Sequence, residues 1–134
     1  MRRRHTKTGF SLLEVLIVIA VIGVMLTMAI SYTSGVTKHA KLATARQQQA
    51  ELQTALGNWI VATSSASGGL AAARAAYTGN KLALLQNYLQ EATYASLSGD
   101  GDTVSSAALD GANAYLQFSS WNVGQQPTVQ WINR

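Results

Sequence analysis

The fold of this chain is decided by an apolar segment near its start, where residues 9–23 read GFSLLEVLIVIAVIG. This segment belongs to a longer run, residues 10–30, in which thirteen side chains are Phe, Leu, Ile or Val and Glu14 is the single charge. At about 1.5 Å per residue, a helix over this run is ~30 Å long, the thickness of the hydrocarbon core of a bilayer. We therefore predict a membrane-spanning helix.

Glu14 is the unusual residue of this predicted span. A central carboxylate costs about 2.5–3.5 kcal/mol, whereas each large apolar residue contributes about −0.3 to −0.6 kcal/mol, so the sum over the run still favours insertion. Because Glu14 lies close to the polar N-terminal flank, one interpretation is a carboxylate that snorkels to the interface. The other is a functional group that awaits a cationic partner, since ionisable groups inside a span are costly without one.

The net charge of +4 is concentrated before the apolar run. Four of the ten basic residues are Arg2, Arg3, Arg4 and Lys7, and residues 10–134 carry six basic and six acidic side chains. Because basic and acidic side chains are equal in number over residues 10–134, this part of the chain has no general attraction to a phosphate backbone. We therefore expect no nucleic-acid binding. The chain has no cysteine, which excludes a disulfide framework and a thiolate metal site.

A basic start followed by an apolar run is also typical of a secretory signal peptide. Ala29 and Ser31 would then form a small-x-small cleavage site after Ser31. However, the run is longer than the roughly 7–15 apolar residues of such signals, and it carries Glu14 near its start. Both features favour a retained span.

The spacing of Gly9, Phe10 and Glu14 behind a basic leader resembles the N-terminal signal of type IV pilins and type II secretion pseudopilins. In that family the leader ends in Gly, an aromatic residue begins the mature chain, and a Glu follows four residues later inside an apolar helix. The resemblance implies cleavage between Gly9 and Phe10 by a prepilin peptidase, followed by N-methylation of Phe10. It also implies that Glu14 pairs with the N-terminal amine of a neighbouring subunit during assembly.

The resemblance further implies a location and a set of partners. The chain would be a single-pass protein of the bacterial inner membrane, with its N-terminus in the cytoplasm and its C-terminal domain in the periplasm, before it enters a filament. Its partners would be other copies of itself, related pilin-like subunits, prepilin peptidase and an inner-membrane assembly platform.

The helix is predicted to continue beyond the span as an amphipathic segment over residues 32–62, because no proline precedes Pro127. Its apolar stripe, at helical spacing, comprises Leu42, Ala45, Leu52, Leu56, Trp59 and Thr63. We expect this stripe to face the core. The polar side chains expected to face water or neighbouring subunits are Lys41, Arg46, Gln48 and Glu51.

The remaining residues predict short elements around this helix. Small residues at 63–69 end it, and short helices follow at residues 70–77 and 81–91, with Asn80 as a cap. Three short strands are predicted at residues 94–97, 114–121 and 128–132. Trp121 and Trp131 are expected to pack on the long helix as core residues.

These elements give an α+β fold, in which a long N-terminal α-helix packs against a small C-terminal antiparallel β-sheet with short helices in the connector. The predicted division is a cleaved leader at residues 1–9, a transmembrane and filament-core helix at 10–31, its amphipathic continuation at 32–62, and a globular pilin-like domain at 63–134.

No motif predicts an enzyme. The sequence lacks a nucleophile elbow, a P-loop, a zinc-protease helix and a dinucleotide-binding glycine pattern. The two histidines, His5 and His39, have no acidic neighbour in sequence that would suggest a triad or a metal pair. We therefore expect a structural and mechanical role.

The favoured function is that of a pseudopilus subunit in type II secretion, because the mature chain is short and the paired cysteines of many type IV pilins are missing. The alternative is a major or minor pilin of a type IV pilus in adhesion, motility or DNA uptake. A domain that is anchored by a single span and never processed would explain the apolar run, but not the spacing of Gly9, Phe10 and Glu14.

A loop around Asp100 and Asp102, together with Asp110, is a candidate calcium site, since hard cations bind clustered carboxylates and backbone carbonyls. The loop departs from the EF-hand pattern, because Val104 and Gly111 stand where ligands are required. Major pseudopilins often carry calcium in a C-terminal loop, which favours the site by resemblance alone. A solvated acidic turn is the alternative interpretation.

The calcium interpretation predicts a stability change. Calcium should raise the melting temperature of the soluble fragment, because a ligand that binds the folded state stabilises it. The rise should be absent in the double variant Asp100→Ala/Asp102→Ala. If calcium changes the melting temperature equally in both proteins, the loop is a solvated acidic turn and not a calcium site.

Overall fold

The structure is a computed structural model that describes residues 11–134, apart from the side chains of residues 31, 32 and 34. The first helix, α1, covers Leu12–Ser67. The chain divides into two compact units at Thr37, and α1 contributes residues to both of them. Each unit has its own character: the first is an apolar helical segment, and the second holds the hydrophobic core.

The first unit is built from the N-terminal part of α1. Ser11 precedes the helix, and its Oγ accepts a hydrogen bond from the Leu13 N–H at 3.2 Å, which satisfies one of the free donors of the first turn. The large apolar side chains that follow are exposed, from Leu12 at 87% to Ile30 at 69%. By length and composition α1 can cross a membrane, as predicted, although residue 10 lies outside the described residues.

The second unit contains the rest of α1, short helices and a four-stranded sheet. The helices after α1 are α2 at Leu70–Ala76, α3 at Lys81–Leu84, a 3₁₀ helix at Gln86–Tyr88, α4 at Glu91–Ser96 and α5 at Ala107–Gly111. The strands are β1 at Ser98–Asp100, β2 at Thr103–Ser105, β3 at Ala114–Phe118 and β4 at Val129–Asn133. All neighbouring strands are antiparallel, in the order β1-β2-β3-β4, which confirms the predicted α+β class.

The hydrophobic core forms between α1 and one face of the sheet. In β3, alternate residues Ala114, Leu116 and Phe118 are buried, as the two-residue period of a strand requires. Leu116 and Phe118 belong to one hydrophobic cluster with the buried residues of the predicted helix stripe, namely Ala45, Leu52, Leu56 and Trp59. The prediction is therefore confirmed at these four positions, whereas Leu42 is 41% exposed and lies outside the core.

The prediction that Gln48 faces water or neighbouring subunits is wrong. Its side chain is buried, donates a hydrogen bond to Ser96 Oγ at 3.2 Å and accepts one from Ser106 Oγ at 2.8 Å. Ser106 in turn accepts from the Leu109 N–H and so caps α5. Because a buried amide is stable only when it is hydrogen-bonded, this network fixes α5 and α4 on α1.

Two further glutamines attach the edge of the sheet to α1. Gln49 Nε2 donates to the Val129 carbonyl at 3.1 Å, and Gln53 Oε1 accepts from the Val129 N–H at 2.7 Å. Residues four apart lie on the same side of a helix, so both amides reach one residue of β4. These bonds satisfy an outward-facing backbone position that an edge strand otherwise leaves free.

Several predicted boundaries differ from the structure. α1 continues to Ser67, beyond residue 62, and ends where Gly68 and Gly69 have positive φ angles of 84° and 125°. The segment predicted as one helix at residues 81–91 is broken into α3, which Asn80 caps as predicted, and the 3₁₀ helix.

The strand predicted at residues 94–97 is wrong, because these residues lie in or next to α4. Tyr94 favours a strand by its intrinsic propensity, but its side chain is half-buried against the core and Leu97 is buried at the helix end. The segment predicted as an acidic loop or turn is the β1–β2 hairpin, with Gly101 at φ 58° in its turn.

Trp121 and Trp131 are half-buried against the core. The guanidinium of Arg46 in α1 lies 4.1 Å from the ring centroid of Trp131, so the predicted contact between Trp131 and the long helix is confirmed. Trp121 packs edge-on against Tyr77 at 5.8 Å, and Tyr77 contacts Trp59 of α1 at 5.9 Å.

The core predicts the effect of one substitution. Leu116→Ala should lower the free energy of unfolding by about 2–5 kcal/mol, because Leu116 is fully buried and its removal leaves a cavity. Leu70→Ala is the matched control, since that side chain is 52% exposed. Urea denaturation of the chain in detergent, followed by tryptophan fluorescence, measures both changes. Equal losses in the two variants would contradict the assignment of the core.

Candidate functional site

The candidate site lies at the start of α1, around Glu14. Gly9 and Phe10, the predicted cleavage and methylation residues, lie outside the described residues. Glu14 is in the first helical turn, and its backbone N–H donates to the Ser11 carbonyl at 3.0 Å. A carboxylate in this turn interacts favourably with the positive end of the helix dipole. The helix start therefore places the side chain of Glu14 close to backbone N–H groups that have no partner within the helix.

One signal at this position was missed from the sequence. Ser11 and Glu14 stand at the spacing of a capping box, in which the first residue accepts a hydrogen bond from the start of the helix. In the structure, Ser11 Oγ accepts a hydrogen bond from the Leu13 N–H, which corresponds to the first half of that motif. Ser11 therefore marks where the helix begins, three residues before the charged group.

The Glu14 carboxylate is exposed and has neither an ion pair nor a hydrogen bond with any part of the chain that the structure describes. It lies beside a shallow depression of about 320 Å³ whose other walls are Val15, Val18 and Ile19. A carboxylate next to apolar side chains is poorly solvated once lipid or protein covers it, so it then requires a cation. The arrangement is suited to binding a cationic group.

The apolar side chains around Glu14 form a continuous exposed surface on the first unit. The exposed fraction is 67% at Leu13, 61% at Leu16 and 63% at Ile19, and it stays high as far as Ile30. Soluble monomers rarely expose an apolar surface of this extent. Lipid or the helices of other subunits must therefore cover it.

The three candidate calcium ligands lie on different elements. Asp100 is in β1, Asp102 is in the β1–β2 turn and Asp110 is in α5. Asp102 is 3.6 Å from the ammonium of Lys81, and Asp110 binds the guanidinium of Arg134 at 2.8 Å. Within residues 11–134, no three acidic or histidine side chains are grouped as a metal site would require. The calcium interpretation stays a prediction, and the observed partners of two of its residues are basic side chains.

Comparison with known proteins supports the interpretation of the N-terminal segment. Residues 4–30 match the family model of the prokaryotic N-terminal methylation motif. The match includes Gly9, Phe10 and Glu14 and the whole of the apolar run at residues 10–30, and it does not extend into the second unit. No curated protein and no solved structure shows a significant match to the chain.

The motif has consequences for processing and assembly. It implies cleavage by prepilin peptidase and assembly into filaments with other pilin subunits. Together with the apolar helix, it indicates anchoring in a membrane. Residues 4–30 are therefore a prepilin-type signal, the N-terminal segment that marks type IV pilin-like proteins of pili and pseudopili.

Proposed function

We propose that this protein is a structural subunit of a type II secretion pseudopilus. Prepilin peptidase cleaves the chain between Gly9 and Phe10 on the cytoplasmic side of the inner membrane, and Phe10 is N-methylated. The mature chain then polymerises into a periplasmic filament that drives protein export. The role is structural and mechanical, and no reaction is assigned to the protein itself.

The observation that carries this proposal is a combination of two features: Glu14 has no partner among residues 11–134, and the apolar side chains from Leu12 to Ile30 are exposed there. In the bilayer, lipid already covers that surface, so exchanging lipid for neighbouring helices releases little hydrophobic free energy. Apolar packing alone therefore does not select one register between subunits. A charged group at a single position does select one register, because only that register brings the charge next to a cation on the neighbouring subunit.

Cleavage supplies both the cation and the freedom to move. Removal of residues 1–9 takes away the four basic side chains that hold the N-terminus at the cytoplasmic surface. It also creates a positive amino group at Phe10. A neighbouring subunit can then place this amino group against Glu14, so the same step that releases the subunit prepares it for assembly.

Substitution of Glu14 tests the proposal. Glu14→Val and Glu14→Gln should each lower filament yield at least tenfold, because an amine left without its buried carboxylate partner loses the pairing energy. Glu14→Asp keeps the charge and should retain part of the yield. Glu91→Gln is the matched control, since Glu91 is an exposed carboxylate of α4. Filaments are measured by immunoblot of sheared or overproduced fibres, with membrane levels of the subunit as the reference.

The same strains distinguish a pseudopilus from a pilus. Loss of exported proteins with surface fibres unaffected supports the pseudopilus, whereas loss of surface fibres, motility or DNA uptake supports the alternative of a type IV pilin. Unchanged filaments and unchanged export in Glu14→Val would refute the role of Glu14 in assembly.

A further inference from the structure

A second site lies within the globular unit, in a cavity of about 200 Å³. Its walls come from the end of α2, the start of α3, the β1–β2 turn and the segment that follows β3. The lining side chains that carry charge are Arg74, Lys81 and Asp102, and Ser120 and Trp121 also line the cavity. The function proposed for the N-terminal segment makes no use of this cavity.

Arg74 has a buried donor without a partner. The Nε atom of its guanidinium is inaccessible to solvent, and no hydrogen bond or ion pair satisfies it within the described residues. Buried side-chain donors in proteins are almost always hydrogen-bonded, and a charged donor is the most costly kind to leave unsatisfied. Arg74 lines the cavity and is only half-buried, so a small rotation of its guanidinium would present Nε to an acceptor that enters from outside.

Lys81 is the second cation, and it is held in place. The residue is only 8% exposed, and its Nζ donates to the Tyr77 carbonyl at 2.9 Å. The same atom lies 3.6 Å from Asp102 and 4.4 Å from the centroid of the Tyr77 ring. The Lys81 N–H donates to the Gly101 carbonyl, so the backbone is fixed as well. The positive charge is therefore preorganised at the cavity wall before any ligand arrives.

The charges of the cavity favour a ligand with one negative charge. Burial raises the pKa of the Tyr77 phenol, and the nearby Asp102 carboxylate raises it further, so this group stays neutral and donates to the Ser119 carbonyl. Two cations and one carboxylate remain, which leaves one positive charge to neutralise. Asp102 also repels a dianion such as phosphate.

The shape of Arg74 indicates which monoanion fits. A guanidinium is a planar array of N–H donors whose geometry matches the two oxygens of a carboxylate. The cavity volume suits a group of a few heavy atoms. We infer that this cavity is a carboxylate-binding site, in which Arg74 donates through Nε, Lys81 supplies the fixed positive charge and Asp102 excludes dianions. The carboxylate belongs either to a small free acid or to an acidic side chain of a second copy of this chain.

Acetate is the probe for the isolated subunit. The ¹⁵N-labelled full-length chain in detergent micelles is titrated with sodium acetate while sodium chloride is lowered to keep the ionic strength constant. The Arg74 Nε–H resonance should shift and saturate, because it gains an acceptor, and the Arg46 Nε–H resonance should not move with it. Equal shifts of both resonances, or no shift beyond that in chloride, would overturn the proposal and leave water as the only occupant.

Two variants test the assigned roles. Arg74→Lys keeps the charge but removes the Nε donor, and it should weaken acetate binding about tenfold or more, read at the Ser120 amide resonance. Asp102→Asn removes the negative wall and should tighten acetate binding roughly threefold or more and allow phosphate to bind. Arg46→Lys is the matched control and should leave the affinity unchanged. Unchanged binding in Arg74→Lys, or weaker binding in Asp102→Asn, would contradict the inference.

The Arg74 Nε resonance in assembled filaments, measured without added acid, shows where the carboxylate comes from. If a second copy supplies the group, the Arg74 Nε resonance in the filament is already at its acetate-bound position. If a free acid is the ligand, the resonance stays at its unbound position and moves when acetate is added. A resonance that stays unbound in filaments and does not respond to acetate there would overturn the assignment.

Discussion

The organisation of this protein depends on a single constraint: the apolar surface of α1 carries one carboxylate, Glu14, and no other part of residues 11–134 covers it. Every large apolar side chain from Leu12 to Ile30 is exposed within the described residues, and Glu14 has no partner there. A monomer in water could not keep such a surface. Under the proposed function, a membrane covers this surface first and other subunits cover it later, and the amino group of Phe10 would supply a cation for Glu14 in the filament.

The second unit is stable for a different reason, since it covers its own apolar residues. The later part of α1 provides Ala45, Leu52 and Leu56 to a core that the sheet completes. The same helix therefore has an exposed apolar segment at its start and a buried apolar stripe further along. Two glutamines add hydrogen bonds to the apolar contacts between the edge strand and this helix, through both backbone groups of Val129. Hydrogen bonds from polar side chains of α1 thus fix where the edge strand packs on the helix, while the apolar stripe contributes buried nonpolar side chains to the core.

Periodic and motif-based features could be predicted from the sequence, and features that depend on distant contacts could not. The spacing of Gly9, Phe10 and Glu14 and the apolar run indicated the prepilin-type signal, and the helical stripe indicated the core face. The sequence did not reveal that Gln48 is buried, because its partners Ser96 and Ser106 are far along the chain. The cavity of Arg74 and Lys81 was missed for the same reason, since its walls come from four separate segments.

The central claim is that the protein is processed into a filament subunit, and the mature N-terminus tests it most directly. Intact and N-terminal peptide mass spectrometry is performed on the protein from its native membrane, in a host with an active prepilin peptidase. The account predicts a chain that begins at N-methyl-Phe10. A chain that still begins at Met1 or Arg2 would contradict the account in favour of a simple anchored domain, and one that begins at Tyr32 would indicate an ordinary signal peptide.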